Sequence, residues 1–357
     1  MKLQDYLNVK DLESMIDLGY INKVYHPTLP LVLYNYTQEC QYSRTWNPVT
    51  MKCRGLVVDK DNNIVARPFE KFFNYEELDD LGIIPPSNLS FDIYEKMDGS
   101  LGILFWYSGQ WIICTRGSFE SDQAKHAQEI FNRKYLGQAQ FDLSTKKTYL
   151  FEIIYPSDPH IVSYAGVDDI FLLAVINTRT GEEECIYNYT SLFKCTKYYK
   201  DYDWKNIRTL FDGDNREGFV VRFFNGFRMK IKFEEYFKLS SFKSNLSEKK
   251  VFEYLSNGNE DELDGMIKKL PEETQIWCKN IKDQLHNNWR RYMEEARDYY
   301  KERPDFYIEE GEKLSKEAAE FYKTSHLNPI IFALANHKSE KTIESITWKL
   351  IKYDKGM

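Results

Sequence analysis

A lysine can act as a nucleophile where its amine sheds its proton and its position is fixed. Lys96 lies in the run Tyr94-Glu95-Lys96-Met97-Asp98-Gly99-Ser100-Leu101, just past a strand-like segment at 91–94 and just before an Asp-Gly turn signal. An apolar run resumes over 101–106. A strand, a tight turn and a second strand are therefore expected to hold Lys96 in a hairpin at a sheet edge or pocket floor. Alone, such a lysine is more simply a solvated strand end. Three further stretches shift that balance. Tyr149-Leu150-Phe151-Glu152-Ile153-Ile154 puts a carboxylate inside a run that is apolar on both sides, which is costly unless the group is partnered. Arg216-Glu217-Gly218 leads into a strand over 218–224, and Asn225-Gly226 turns it back into a second strand over 227–233. Side chains alternate along a strand, so Lys230 and Lys232 share one face. Two cations on one face of an apolar strand make a candidate anion site; the competing reading is a solvated sheet face.

The chemistry these groups could share is attack on a phosphate. The attacking amine must be neutral, against an ordinary pKa of about 10.4. Neighbouring cations such as Lys230 and Lys232 are expected to lower that value and to offset phosphate charge. Glu152 and Glu217 suit ribose hydroxyls or a divalent metal, which prefers hard oxygen ligands, and magnesium or manganese would bridge the phosphates.

The elements that must position these groups follow from the patterning. Residues 1–30 read as a short helix and a loop closed by Pro27 and Pro30, and strands are predicted at 31–36, 53–59, 64–67, 110–116, 149–154 and 170–176. A helix is predicted over 121–135 with Ser121 as its N-cap. From about residue 246 the strands stop, and 249–256, 261–270, 273–301, 309–322, 330–336 and 342–353 carry helical spacing and dense charge. The predicted architecture is α+β, with a mixed domain over 1–245 and an all-helical domain over 246–357. Hydrophobic residues at 42%, 16% of the chain being aromatic, are enough for a sizeable core in 357 residues. The net charge of −7 gives no global attraction to nucleic acid, so any polyanion site must be a local focus of Lys and Arg. Cys40, Cys53, Cys114, Cys185, Cys195 and Cys278 lack paired spacing and read as reduced thiols. No apolar signal core or membrane-length run is visible, so a soluble, cytoplasmic chain without a membrane partner is expected.

In order, Lys96-Met97-Asp98-Gly99-Ser100, Phe151-Glu152-Ile153, Arg216-Glu217-Gly218-Phe219-Val220-Val221 and Met229-Lys230-Ile231-Lys232 resemble the covalent nucleotidyltransferase superfamily of ATP-dependent ligases and capping enzymes. Upstream, Cys53-Arg54-Gly55 and Arg67-Pro68-Phe69-Glu70-Lys71-Phe72-Phe73-Asn74 narrow the resemblance to the phage-type RNA ligase 1 family. So does Arg116-Gly117-Ser118 followed by Ser121-Asp122-Gln123-Ala124. The match covers roughly residues 30–265.

It implies a nucleotidyltransferase domain of ATP-grasp-like antiparallel sheets with helices, and ATP as donor. Tyr34, Arg54 and Lys71 would stand at the nucleotide and Arg116 beside the phosphates, with Glu152, Glu217, Lys230 and Lys232 completing the pocket. Asp261 and Glu262 correspond to a metal-binding acidic pair; the alternative is a solvated helix N-terminus. From the residues alone, Tyr34 is a core aromatic, Lys71 a cation snorkelling from an aromatic cluster and Arg54 a strand-end charge. Arg116 stands where relatives commonly carry Lys, and His160 where they tend to carry Arg. The implied activity is ATP-dependent RNA ligation through lysyl-AMP and RNA-adenylate. It would join single-stranded or nicked-loop RNA ends in RNA repair, with broken tRNA as target. The chain would act as a monomer, and its helical domain would select the RNA. A DNA ligase or capping enzyme would be expected to continue into a β-rich oligonucleotide-binding barrel, which the tail does not resemble. A capping-type guanylyltransferase, a DNA-end ligase and a non-enzymatic nucleic-acid-binding module are the alternatives.

Overall fold

Segments rich in apolar and β-branched residues, some alternating and some unbroken, fold as strands in three sheets. The computed structural model describes residues 1–309 and 312–354, in two units, Met1–Lys238 and Leu239–Met357. In the first unit, β1 (Ile21–Tyr25), β2 (Leu31–Tyr36), β3 (Arg54–Asp59) and β4 (Ile64–Ala66) form an antiparallel N-terminal sheet in sequence order. β5 (Phe73–Asn74) and β6 (Phe91–Lys96) begin a second sheet, completed far downstream. The central sheet takes β7 (Ser100–Tyr107), β8 (Gln110–Thr115), β9 (Lys147–Ile154), β10 (Asp169–Asn177), β11 (Glu183–Glu184) and β12 (Lys194–Cys195). Its order is β11-β10-β9-β7-β8, with β12 beside β10. β13 (Gly218–Phe223) and β14 (Arg228–Lys232) then join the earlier pair in the order β5-β14-β13-β6.

The central sheet is covered on both faces, which explains the unbroken apolar run of β9. Helix Asp122–Lys134 lays Ile130 and Phe131 against Tyr149, Phe151 and Ile153 on one face. Leu31, Leu33 and Val57 of the N-terminal sheet cover Ile103, Phe105 and Leu150 on the other. Ser121 caps that helix as predicted, its hydroxyl accepting from the Ala124 amide at 3.2 Å. β1 lies in the segment expected to be a loop. It is paired to β2 through backbone hydrogen bonds and buries only Ile21, so it carries little apolar signal.

Lys96 does not lie in a hairpin. β6 pairs with β13, whereas β7 pairs with β8 and β9, so Lys96-Met97-Asp98-Gly99 links two different sheets. Packing explains the Asp-Gly pair. A Cβ on Gly99 would lie 2.7 Å from the Ile153 carbonyl oxygen and 2.8 Å from Glu152 Cγ. Asp98 is an anchor: Oδ2 accepts from the Ile161 and Val162 amides at 2.9 and 3.0 Å, and Oδ1 accepts from the Tyr236 hydroxyl at 2.8 Å. Gly99 thus seats the link against β9 and Asp98 ties it to the 161–162 segment and Tyr236, instead of the pair reversing the chain.

Helices Glu248–Ser256, Glu260–Ile267, Glu272–Lys301, Lys316–Lys323, Asn328–Ala335 and Glu340–Asp354 make up most of the second unit. Residues 310 and 311 of the segment predicted to be helical over 309–322 lie outside the described residues, and the described helix starts at Lys316 behind a Ser315 cap. Met293, Ala296, Tyr322, Ile330 and Ile331 form its core. No described helix is long and apolar enough to cross a membrane.

Candidate active site

Strand register brings the two lysine segments together. Gly218 on β13 is opposite Lys96 of β6 on one side and Lys232 of β14 on the other. Glu217, one residue earlier, reaches both: Oε2 is 2.7 Å from Lys96 Nζ and Oε1 is 2.7 Å from Lys232 Nζ. Gly218 has φ +148°, and a Cβ there would lie 2.1 Å from the Ile231 carbonyl oxygen, so no side chain fits between the strands. Two residues along the sheet, Val220 pairs with Tyr94 and Lys230, placing Lys230 on the face that carries Lys96 and Lys232. From the central sheet, buried Glu152 sits opposite Leu101 at the start of β7.

Aromatic faces carry most of the cations. Lys71 Nζ lies over Trp46, Phe73 and Tyr36 at 4.7, 5.1 and 5.7 Å from the ring centroids. Phe72 faces both Lys230 and Arg54, at 5.1 and 5.7 Å. Arg116 lies over Tyr36 at 4.9 Å and donates to its hydroxyl at 2.7 Å. A ring quadrupole attracts a cation without neutralising it, so these charges stay available to an anionic ligand. Arg54 Nη1 is buried with no hydrogen-bond partner, a costly state that an incoming acceptor would relieve.

Two cavities meet at this cluster. One of about 880 Å³ is lined by Lys96, Glu152, Leu173, Val220 and Tyr94 among others. A smaller one of about 280 Å³ is lined by Tyr36, Trp46, Lys71 and Lys232. Arg54, Arg116 and Lys230 line both. A roomy, part-apolar chamber at the lysine thus adjoins a narrow cationic recess.

The charges of the cluster are unequal. Burial disfavours the Lys96 ammonium, but Glu217 and then Glu152 outweigh it and hold its pKa above the ordinary value. The expected depression of Lys96 by Lys230 and Lys232 is thus reversed, because in the resting protein the nearest groups to its amine are carboxylates. Lys230 is driven well below its usual range instead, by burial and by Lys71, Lys96 and Arg54. Burial pushes Glu152 up to about 7, helped by Glu217 and Asp98 and opposed by Lys96. His160 Nε2 donates to Asp158 Oδ2 at 3.2 Å, and Nδ1 lies 3.8 Å from Asp98 Oδ1. Burial lowers its pKa, yet Asp158 and Asp98 outweigh burial and leave it raised.

Arg54, Lys71, Lys96, Arg116, Glu152, Glu217, Lys230 and Lys232 all line these cavities or bind the residues that do. Tyr34 does not. It is packed with Leu3, Tyr6 and Leu56 in the N-terminal core, and Tyr36 takes the place at the cations. The two tyrosines are two residues apart on β2 and share a face, but Tyr34 is at the end that meets the N-terminal helices and Tyr36 at the end that meets Trp46 and Arg116. Asp261 and Glu262 are exposed in the first turn of helix Glu260–Ile267, in the second unit. Their neighbour Glu260 is bound by Lys282 at 2.8 Å and His286 at 3.2 Å. Among the described residues no three His, Cys, Asp or Glu side chains converge as metal ligands. Trp46 and Phe72 were not singled out from the sequence; Phe72 was visible in an aromatic run, whereas Trp46 had no local signal.

The family model of RNA ligases matches residues 52–237, just over half of the chain, and contains Arg54, Lys71, Lys96, Arg116, Glu152, Glu217, Lys230 and Lys232, while Tyr36 and Trp46 precede it. The chain belongs to the RNA ligase family. That agrees with the motif resemblance. Among curated RNA ligase relatives, a putative bifunctional polynucleotide kinase/RNA ligase of Autographa californica nuclear polyhedrosis virus is 28% identical over 245 residues, covering 61% of this chain and 35% of that protein. A putative RNA ligase of Thermovibrio ammonificans is 25% identical over 231 residues, covering 60% of each. The match thus spans less than two thirds of either relative. Among solved structures, a putative ATP-dependent DNA ligase from Aquifex aeolicus superposes with a TM-score of 0.48 at 14% identity, covering 81% of each chain.

Proposed function

We propose that this RNA ligase family member is an ATP-dependent RNA ligase with Lys96 as its nucleophile. The observation that carries the proposal is the Lys96–Glu217–Lys232 contact beside Lys230, Lys71, Arg116 and the unpartnered Arg54 Nη1. A nucleotide fits with its base and ribose in the larger chamber, near Val220 and Glu152, and its outer phosphates in the cationic recess. In the resting state Lys96 is charged. Glu217 is placed to accept its proton as the amine attacks, and Lys232 keeps that carboxylate oriented. Attack forms a bond from Nζ to the α-phosphorus and breaks the bond to the bridging oxygen, releasing pyrophosphate toward Lys71, Arg54 and Arg116. A 5′-phosphate oxygen of RNA then displaces Lys96 from lysyl-AMP, giving RNA-adenylate. A 3′-hydroxyl attacks the same 5′-phosphorus, expels AMP and seals the phosphodiester. A divalent cation would offset charge on the phosphates. The described carboxylates make no protein-only site for one, so its ligands would come largely from the nucleotide and water. The helical second unit is our candidate for selecting the RNA, with broken tRNA ends as substrate.

Incubation with α-labelled ATP or GTP and magnesium tests the reading. Label from ATP that survives denaturation and disappears in Lys96→Ala is expected. Label from GTP alone would favour a capping-type guanylyltransferase, and sealing of DNA ends but not of 5′-phosphorylated RNA would sink the RNA assignment. A folded, unmodified protein that takes label from neither nucleotide is a binding module.

A further inference from the structure

The residues just before Lys96 and just before Glu217 are joined to each other. Glu95 precedes Lys96 on β6, and Arg216 precedes Glu217 at the entry to β13. Arg216 donates from Nε to Glu95 Oε1 at 3.0 Å and from Nη2 to Oε2 at 2.9 Å, a bidentate fork. The Tyr199 hydroxyl donates to the same Oε2 and receives from Arg216. The guanidinium lies over Phe211, Phe219, Tyr199 and Phe233 at 5.1 to 5.7 Å from their centroids. The backbone is tied as well: the Glu95 amide donates to the Lys197 carbonyl at 2.7 Å, and Thr196 Oγ1 donates to the Glu95 carbonyl at 2.8 Å.

Alternation along β6 turns the Glu95 side chain away from the face of Lys96, and the fork occupies both its oxygens. Neither Glu95 nor Arg216 presents a free group to the cluster. We propose that Glu95 and Arg216 are positioning residues that lock β6 to the start of β13 and so set Lys96 against Glu217. The clamp acts one residue upstream of each functional group. A shift of β6 along β13 would move Lys96 relative to Gly218 and separate the amine from the carboxylate that orients it. Arginine suits the task better than lysine, because the planar fork fixes direction as well as distance.

The inference rests on the ligase reading for its catalytic consequence, but its geometric content can be tested without ATP. The groups facing the Lys96 amine are Glu217, Glu152 and Asp98, with Lys230 as the neighbouring cation. Isotope-labelled reductive methylation followed by NMR titration, assigned with Lys96→Arg, reads the ionisation of Lys96 directly. Arg216→Ala and Glu95→Gln are expected to lower the Lys96 midpoint by about one pH unit, as for withdrawal of an opposite charge. Protein-nucleotide formation from ATP should slow about tenfold or more. Arg216→Lys should be intermediate in both. Glu95→Gln preserves shape and guards against loss of folding, checked by circular dichroism. Folded variants with an unmoved Lys96 titration would overturn the clamp. Failure of the wild-type chain to take label from ATP would instead sink the ligase reading, and the titration would still decide the clamp.

Discussion

Glu152→Gln is expected to stabilise the protein in a pH-dependent way. In the folded chain the carboxyl is buried and its pKa is pushed up from 4.5 to about 7. A group whose folded pKa is raised binds an extra proton in the native state between the two values, so stability falls as pH rises through that window. The difference of about 2.5 units, at about 1.36 kcal/mol per unit, corresponds to about 3 kcal/mol lost between about pH 4.5 and 7. Glutamine cannot ionise and keeps nearly the same shape. The variant should therefore resemble wild type near pH 4 and be more stable by up to about 3 kcal/mol at pH 8. Urea unfolding between pH 4 and 8, with hydrogen exchange read on peptides from β9, isolates the first unit from the helical one. Stability differences that stay flat across this range would show that Glu152 is ionised throughout, with Lys96 or another cation compensating its burial. A variant that grows less stable as pH rises would refute the reasoning outright. Activity should not follow stability: a carboxylate suited to a ribose hydroxyl is lost, so nucleotide transfer should weaken even where folding is strengthened.

Tyr36→Phe removes the hydroxyl that accepts from Arg116 at 2.7 Å and should raise the ATP concentration needed for protein labelling about tenfold, given the usual worth of a hydrogen bond to a charged group. Tyr34→Phe should leave that titration unmoved, and equal effects would contradict the placement of the two tyrosines. Gly99→Ala forces a Cβ to within 2.7 Å of the Ile153 carbonyl oxygen, and overpacking of that kind costs about 1–3 kcal/mol. Denaturant midpoints would check it; an unchanged midpoint would mean that the link between the sheets can give way.

The local chemistry of this protein was legible in its sequence because it is written in short motifs. Glu152, Lys230 and Lys232 announced themselves by being charged within apolar strands, where an unpartnered charge is expensive, and Lys96 and Glu217 by the ordered motifs that contain them. Ser121 and the Asn225-Gly226 turn were equally clear, since caps and tight turns depend on a few adjacent residues. What lay beyond the sequence was set by contacts between distant strands. Asp98-Gly99 is a turn by composition, yet the demands of β9 made it a link between two sheets. Tyr34 and Tyr36 are equivalent by alternation, yet distant packing partners put Tyr34 against Leu3, Tyr6 and Leu56 and Tyr36 against Trp46 and Arg116. The ionisation of Lys96 likewise depends on which charges stand closest. The sequence places two lysines and two glutamates near it, but the pairing of Gly218 with both Lys96 and Lys232 brings Glu217 between them and reverses the expected shift. Residue types determine which chemistry is available. Coulomb energies fall with distance and grow with burial, so the state of each group was decided only when the strands took their register.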